Sequence, residues 1–406
     1  MKAIRLSEGF YWTGVLDENL RVFDIIMETE FGTTYNSYVL RAGGKTVLFE
    51  TAKAGFFEEY LETLQEVIDV TAIDYLVMSH TEPDHAGSLE RLLEYSPQME
   101  VLATGCALGF LKEITNREFC ASAVKDGQEL TVGGRTLRFL QAPNLHWPDT
   151  MYTYIVEEKA LVTCDSFGAH YCLPGVVSDG ICSEDDYEKA LKYYFDNIIG
   201  PFKPFMRRAL DKIAPLEISM VCTGHGPVLV GERIGKVMDR YREWTAAETG
   251  RTKRVAIAYV SAYGYTGMLA ERIAAGVRAA GETGSKGLEV EMFDMVTADT
   301  EAVSGRLAAA DGFLLGTPTI LGDALKPIWE LTLAMTPVTH GGKQAAAFGS
   351  YGWSGEGVPN ITERLKQLKL KVSEGFRVRF KPSEEELSQA YEYGRRFGEL
   401  VLGGKP

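Results

Sequence analysis

One short segment of the chain carries four side chains that can bind a metal ion. The segment reads His80-Thr81-Glu82-Pro83-Asp84-His85 and follows the apolar run IDYLVMS. Three further potential ligands, His146, Asp165 and His225, each come after another apolar, strand-like run. Such distant residues can converge when strand ends meet along one edge of a sheet. The set contains His, Asp and Glu but no Cys, so it predicts a two-metal site with nitrogen and oxygen donors.

The distribution of histidine favours the same site. The chain has six histidines, and four of them follow strand-like runs in its first part, whereas His170 and His340 have no such setting. Gly224 and Gly226 flank His225, where glycine permits close backbone approach. Tyr193 and Tyr194 could donate hydrogen bonds near the site, but packing in the core is the favoured interpretation for both.

Length and charge restrict the class of protein. A chain of 406 residues is expected to form two or three domains. Its formal net charge of -14 argues against nucleic acid and anionic membrane as partners, because both require a basic surface. The N-terminus has no apolar core of a signal peptide, and no apolar run is long enough to span a bilayer. We therefore expect a cytoplasmic protein that binds neither nucleic acid nor membrane.

The polar segment EWTAAETGRTKR (243–254) separates two patterns of secondary structure. Before it, strand-like runs such as VFDIIME, SYVLRA, KTVLFET and ALVTCD mix with helical stretches, one of them beginning near Ala86. This mixture predicts an α/β sandwich. After it, five strands alternate with helices, the last strand being KVSEGFRVRF, which predicts a doubly wound parallel sheet. We expect domains at 1–250 and 251–406, with no third domain.

The ligand pattern of the first domain resembles the metallo-β-lactamase fold, an αββα sandwich whose hydrolases carry a His-x-His-x-Asp-His loop. Here Glu82 replaces the second histidine of that loop. A carboxylate makes the site harder and more anionic, which favours iron and redox chemistry over zinc hydrolysis. The resemblance implies that His80, Glu82 and His146 hold one iron, that Asp84 and His225 hold the other, and that Asp165 bridges them. His85 is either an outer partner of the ligands or an alternate ligand to His80.

Three loops of the second domain could hold a phosphate and a flat ring. Residues 261–267 are rich in Ser, Thr and Gly and precede a helix, whose N-terminus can bind a phosphate. The loops 316–323 and 349–357 offer small residues, with Tyr351 or Trp353 available for stacking. Together the loops resemble those of short-chain flavodoxins, which implies FMN. The predicted FMN-binding residues are Ser261, Ala262, Tyr263, Gly264, Tyr265, Thr266, Thr317, Pro318, Thr319, Ser350, Tyr351, Gly352, Trp353, Ser354 and Gly355.

A lactamase-like domain joined to a flavodoxin-like domain resembles the flavodiiron proteins over essentially the whole chain. The motifs that carry the resemblance are GTTYNSY, HTEPDHAGSL, LHWPDT, GHG and FGSYGWSGE. The resemblance implies an oxidoreductase that reduces dioxygen to water or nitric oxide to nitrous oxide, with FMN supplying electrons to two iron ions. It also implies a head-to-tail homodimer or a dimer of dimers. The electron donor is then a separate protein such as rubredoxin, or a reduced deazaflavin.

Two other functions are compatible with the same residues. The first is a zinc-dependent hydrolase with a flavodoxin-like regulatory module, which Glu82 disfavours. The second is a flavodoxin-type electron carrier whose first domain is only structural. Between the two gases, the sequence favours dioxygen only slightly, because both substrates would use the same ligands.

Overall fold

The computed structural model describes residues 2–25, 27–246, 251–282 and 287–404. The chain divides into two units, Met1–Ala247 and Glu248–Pro406. The expected linker 243–254 is only partly described: its first residues end the helix Glu232–Thr245, its last begin the strand Lys253–Tyr259, and residues 247–250 lie outside the described residues. None of the helices in the described ranges is both long and apolar enough to cross a membrane.

Two sheets form the centre of the first unit. The strands of the first sheet lie in the order Ile4–Ser7, Phe10–Trp12, Tyr38–Ala42, Lys45–Phe49, Tyr75–Val77, Glu100–Ala103 and Ala121–Ala123. Those of the second lie in the order Glu129–Val132, Arg135–Gln141, Met151–Ile155, Ala160–Cys164, Met220–Thr223 and Leu229–Val230. In the first sheet the strands from Lys45–Phe49 onward are parallel; in the second, only Ala160–Cys164 and Met220–Thr223 are parallel neighbours.

Strand residues of the first unit alternate between two apolar layers. Val47 and Phe49 belong to the cluster between the sheets, and Leu48 belongs to the cluster that contains the helices. This period of two is expected for a strand covered on both faces. The covering helices are Phe57–Gln65, Pro83–Ala86, Leu89–Tyr95, Gly105–Thr115, Glu184–Tyr194, Lys203–Ile213 and Glu232–Thr245. The predicted αββα sandwich is confirmed.

Two local predictions in this unit are wrong. The run VFDIIME is not one strand, because Val22–Phe23 pairs antiparallel with Met27–Glu28. Asp24 and Ile25 have φ values of 46° and 69°, which reverse the chain as a tight hairpin requires. The helix expected near Ala86 begins already at Pro83, where proline suits the first helical turn. Asp84 and His85 therefore lie on a helical turn and not in an extended loop.

The second unit contains a parallel sheet in the spatial order Leu288–Asp294, Lys253–Tyr259, Gly312–Gly316, Gln344–Tyr351 and Lys371–Val372. This order, with the second strand in the chain at the edge, is that of a flavodoxin-like sheet. Val255 and Ile257 face one apolar cluster, and Ala256 and Ala258 face the other. The flanking helices are Tyr265–Glu282, Thr300–Ala309, Lys326–Leu333, Pro337–His340, Gly357–Gln367 and Glu384–Leu402. The predicted doubly wound fold is confirmed.

The fifth strand of this sheet is broken. Val372 pairs with Ala345, and Phe376 pairs with Phe348, so four steps along one strand match three along the other. The extra residue is the mark of a β-bulge. The predicted continuous strand KVSEGFRVRF is therefore two short strands, Lys371–Val372 and Phe376–Arg379, that both pair with Gln344–Tyr351.

Candidate functional site

Four strand ends deliver the predicted metal ligands to one place in the first unit. His80 follows Tyr75–Val77, His146 follows Arg135–Gln141, Asp165 directly follows Ala160–Cys164, and His225 follows Met220–Thr223. The first sheet contributes His80 and the second contributes the other three, so the ligands meet at an edge of the sandwich and not at the edge of one sheet.

One cluster consists of His80, Glu82, His146 and Asp165, whose ligand atoms all lie within 4.8 Å of one another. Glu82 Oε2 is 2.9 Å from His146 Nε2 and 3.2 Å from His80 Nε2. Asp165 Oδ2 is 3.1 Å from the same His146 atom. Glu82 and His146 keep 18% and 16% of their side chains exposed, so small molecules can reach this side of the site.

A second cluster consists of Asp84, His85 and His225, with the same spacing of ligand atoms. His225 Nε2 lies 3.1 Å from Asp84 Oδ2, and His85 Nε2 lies 3.1 Å from Asp165 Oδ1. Asp165 therefore directs one oxygen toward each cluster. The geometry also brings His85 into the second cluster.

The electrostatics of the clusters are those of a site built for cations. Burial opposes ionisation of Asp165, but His85, His146 and His80 outweigh it and hold the pKa of that carboxyl well below its usual range. Burial also opposes protonation of His146, yet Asp165 and Glu82 raise its pKa to about 10. The Asp165 and Glu82 carboxylates thus favour a positive charge beside them.

Unpaired buried atoms show that a metal pair fits the site. Both oxygens of Asp84 and Oδ1 of Asp165 are buried and make no hydrogen bond of good geometry within the described residues, although imidazole nitrogens lie 3.1 Å from Asp84 Oδ2 and from Asp165 Oδ1. Such atoms are costly unless something binds them. Imidazole and carboxylate donors together suit first-row divalent ions, including iron.

An outer acceptor contacts His225, and a second potential acceptor lies near His80 beyond hydrogen-bond distance. Thr34 O lies 2.6 Å from His225 Nδ1. Asp149 is buried, accepts a hydrogen bond from Thr81 Oγ1 at 2.7 Å, and places its other oxygen 3.6 Å from His80 Nδ1. Acceptors at Nδ1 leave Nε2 free for a metal. The motif LHWPDT contains Asp149, but sequence reasoning did not assign it a role.

Two further residues near His85 were missed from the sequence. Glu50 and Cys164 form a third group of potential ligand atoms with His85. Glu50 approaches the ring at Nδ1, whereas Asp84 approaches it at Nε2. The predicted site contained no cysteine, whereas the structure places the Cys164 thiol 3.6 Å from His85 Nδ1. Burial raises the pKa of Glu50 to about 7, although His85 and the Ser79 contact lower it.

Gly224 packs directly against the ligands. A Cβ atom at this position would lie 2.7 Å from His85 Cε1 and 3.2 Å from Asp165 Oδ1. Gly226 has φ of 76°, and a Cβ there would lie 2.3 Å from Ala169 O. Both glycines therefore permit the close approach that the sequence suggested.

Aromatic side chains surround His225. The rings of Phe23 and Tyr35 lie 5.4 Å and 5.9 Å from it, and Tyr194 is buried with its ring 6.2 Å away. His170, which does not follow a strand, is also here, with its ring 5.3 Å from that of His225. Its position could not be inferred from the strand-end pattern.

Tyr193 lies farther out than Tyr194. It is 39% exposed, and its hydroxyl accepts a hydrogen bond from the backbone N–H of Glu28 at 3.2 Å. The core-packing role favoured for Tyr193 is therefore wrong, whereas Tyr194 is a core residue as predicted.

The second unit has a cavity of about 340 Å³ at the predicted flavin loops. Trp353 and Leu321 at its rim are 92% and 96% exposed. The predicted residues that line the cavity are Tyr263, Tyr265, Pro318, Thr319, Ser350, Tyr351, Gly352, Trp353 and Ser354. Ile320, Leu321, Gly322 and Phe380 also line it and were not predicted.

The other predicted flavin residues shape the loops around the cavity. Ser261 Oγ accepts a hydrogen bond from Gly267 N–H at 3.0 Å, and Thr317 Oγ1 accepts one from Leu325 N–H at 3.0 Å. Thr266 Oγ1 lies 3.0 Å from Ser350 Oγ. Ala262, Gly264 and Gly355 belong to the same loops, and the two glycines have φ of 83° and 81°.

Each unit of the chain matches a known family. Residues 33–226 match the family described as ODP family beta lactamase, and residues 257–394 match the flavodoxin family. The chain is 42% identical to flavo-diiron protein FprA2 of Clostridium acetobutylicum, over 99% of this chain and 100% of that protein. It is 33% identical to the nitric oxide reductase of Moorella thermoacetica, over 98% of each chain.

A solved structure shows the same two-unit organisation. The rubredoxin oxygen:oxidoreductase of Desulfovibrio gigas superposes with a TM-score of 0.67 at 27% identity, and the match covers 99% of each chain. The likeness thus extends over both units.

Proposed function

Because the chain belongs to the flavodiiron protein family, we propose that it reduces dioxygen to water at a non-haem di-iron site supplied with electrons by FMN. The observation that carries the proposal is the contact of Glu82 with both His80 and His146 beside the shared Asp165. A carboxylate at this position favours iron over the zinc of the hydrolases. The chain is thus an oxidoreductase, as its relatives' names indicate.

We assign the ligands as the clusters suggest. His80, Glu82 and His146 would hold one iron, Asp84 and His225 the other, with Asp165 between them. Bound iron supplies electrons and adjacent coordination positions to the gas. The chain's own contribution is to fix the two clusters side by side, which lets two reactants meet as neighbours.

The second unit would hold FMN in the cavity formed by its three loops. The backbone N–H groups at the start of the helix Tyr265–Glu282 suit the phosphate. Tyr351 and Trp353 line the same cavity and suit the isoalloxazine ring. We therefore propose that electrons enter the protein here.

Because the two cofactors belong to different units, electrons must pass from one unit to the other. We propose the head-to-tail homodimer, alone or as a dimer of dimers, as the form in which one copy's flavin serves the other copy's irons. Rubredoxin or a reduced deazaflavin would be the donor, in the cytoplasm. The net charge of -14 supports the absence of nucleic acid and of anionic membrane among the partners.

Nitric oxide is the second candidate substrate. The specific observation that favours it is the 33% identity to the Moorella nitric oxide reductase over nearly the whole chain. Both gases would use the same ligands, so the site residues do not separate them.

The test is anaerobic mixing of the FMN-reduced, iron-loaded protein with each gas in turn. We expect reoxidation of the flavin by dioxygen, with water as product, to be faster than reoxidation by nitric oxide. A faster reaction with nitric oxide would reverse the choice of substrate. Two zinc ions per chain in protein from its host, with no reaction toward either gas, would support the hydrolase instead.

A further inference from the structure

The imidazole of His85 has a different environment at each of its two nitrogens. Nε2 lies 3.1 Å from Asp165 Oδ1 and 3.6 Å from Asp84 Oδ1. Nδ1 lies 3.9 Å from Glu50 Oε2. Cys164 Sγ lies 3.6 Å from Nδ1 and 4.0 Å from Nε2, so only the carboxylates distinguish the two nitrogens. The ring is buried, so these groups decide which nitrogen carries its proton.

Glu50 is held rigidly beside this ring. It directly follows the strand Lys45–Phe49, is fully buried, and has φ of 59°, a conformation that non-glycine residues adopt rarely. Its Oε1 accepts a hydrogen bond from Ser79 N–H at 2.6 Å, and its own N–H donates to Val77 O at 3.0 Å. Both contacts connect Glu50 to the chain that leads into His80. Strained backbone of this kind is concentrated at functional sites.

The second oxygen of Glu50 has no hydrogen-bond partner among the described residues. Oε2 is buried, and the potential ligand atoms grouped with it are those of His85 and Cys164. An unpaired buried carboxylate oxygen destabilises a protein strongly. A thiol is only a weak donor, so the His85 N–H is the partner that suits this oxygen.

We infer that Glu50 is a positioning residue that accepts a hydrogen bond from His85 Nδ1–H and thereby directs the His85 Nε2 lone pair at the metal shared with Asp84 and His225. The inference rests on the proposed di-iron function and deepens it. Thr34 O at His225 and Asp149 at His80 stand at the corresponding nitrogens of their rings. Such outer acceptors fix the tautomer of a metal-bound histidine.

The proposed hydrogen bond requires a shorter distance between Glu50 and His85 than the structure shows. A hydrogen bond from Nδ1 requires Glu50 Oε2 to approach to about 3 Å, from the present 3.9 Å. Glu50 Oε2 and His85 Nδ1 must therefore come closer together while Nε2 stays beside Asp84. The second metal then has His85 as an additional protein ligand.

The decisive variant is Glu50→Gln. Glutamine has the same shape and keeps an oxygen for Ser79 N–H, but it presents an amide N–H₂ to His85 in place of the carboxylate oxygen. His85 must then accept at Nδ1 and carry its proton on Nε2, where the proton blocks metal binding. Glu62→Gln is the matched control, because it removes the same charge at an exposed position.

The measurement is titration of the full chain, carrying FMN but stripped of metal, with Co²⁺ followed by visible absorption. We expect Glu50→Gln to weaken binding of one of the two ions by roughly 10- to 100-fold, the usual effect of losing an outer partner. The other ion and the control should be unaffected. In a His85→Ala background the Glu50→Gln change should have no further effect. Two unaltered affinities in Glu50→Gln would overturn the inference.

A second measurement does not depend on any variant at Glu50. Zinc-loaded, unaltered protein with ¹⁵N-labelled histidine can be assigned by NMR, because the chain has only six histidines. A proton on His85 Nδ1 is expected, and a proton on Nε2 would contradict the inference. Failure of the unaltered chain to bind two ions would instead count against the proposed function, so the two failures are distinguishable.

Discussion

Glu82 and His146 are 64 residues apart in the chain, yet Glu82 Oε2 lies 2.9 Å from His146 Nε2. Histidine replaces this glutamate in the lactamase-type hydrolases that the sequence resembles. This one side chain therefore distinguishes the ligand set proposed for iron redox chemistry from that of the zinc hydrolases. Because the same oxygen also contacts His80 at 3.2 Å, Glu82 affects two ligands at once.

The first prediction concerns metal choice. Glu82→His should lower the ratio of iron to zinc bound by the protein by about tenfold or more, equivalent to about 1.4 kcal/mol, because nitrogen donors favour zinc over ferrous iron. The ratio is measured by elemental analysis after growth with both metals. Glu82→Asp keeps the carboxylate and serves as the control. An unchanged ratio in Glu82→His would show that Glu82 does not select the metal.

The second prediction concerns Asp165, whose two oxygens face different clusters. Asp165→Asn should weaken binding of both metals by about 100-fold or more, since even an outer partner contributes roughly 10- to 100-fold. Reduction of either gas should be lost while FMN stays bound. Metal content, FMN content and gas consumption are measured on the same sample. Full gas reduction by the variant would favour an electron carrier with a purely structural first unit.

The third prediction concerns the flavin cavity. Trp353→Ala should weaken FMN binding by about 3- to 10-fold, because a stacked aromatic pair contributes about 0.5–1.5 kcal/mol. Trp353→Phe should retain most of the affinity. Fluorescence titration of the flavin-free protein gives both dissociation constants. Equal affinity of Trp353→Ala and the unaltered chain would exclude stacking by this ring.

The fourth prediction concerns acid stability of the second unit. Burial, together with the nearby charge of Lys343, lowers the pKa of His340 to about 4. The unfolded imidazole binds a proton near pH 6.5, so between these values the unfolded state binds more protons. The free energy of unfolding should therefore fall as the pH falls through this window. His340→Leu should show a shallower decrease of the melting temperature from pH 6.5 to 4, and identical slopes would refute the assignment.

The strand-end rule explains which site residues could be predicted from the sequence. His80, His146, Asp165 and His225 all follow apolar runs, and the structure brings all four together. Glu50 obeys the same rule, because it directly follows Lys45–Phe49. A single acidic residue after a strand is nevertheless common, and without a second ligand beside it the pattern gave no reason to select it.

Other features depend on tertiary contacts that no local pattern carries. His170 reaches the site through packing with Phe23 and His225. The hairpin requires positive φ at both Asp24 and Ile25, and a β-branched residue such as Ile25 seldom adopts it. In the second unit, the bulge before Phe376 depends on its pairing with Phe348, and alternation of apolar residues cannot reveal that extra residue.

Gly224 limits how this protein can diverge. Any side chain there would collide with His85 and press on Asp165. Even alanine, usually the mildest replacement, would displace His85 in one cluster and Asp165 in the other, although every ligand would still be present. In a library randomised around the site, this position should tolerate few substitutions, although it contributes no functional group. The absence of a side chain at Gly224 therefore restricts sequence change beside the metal ligands.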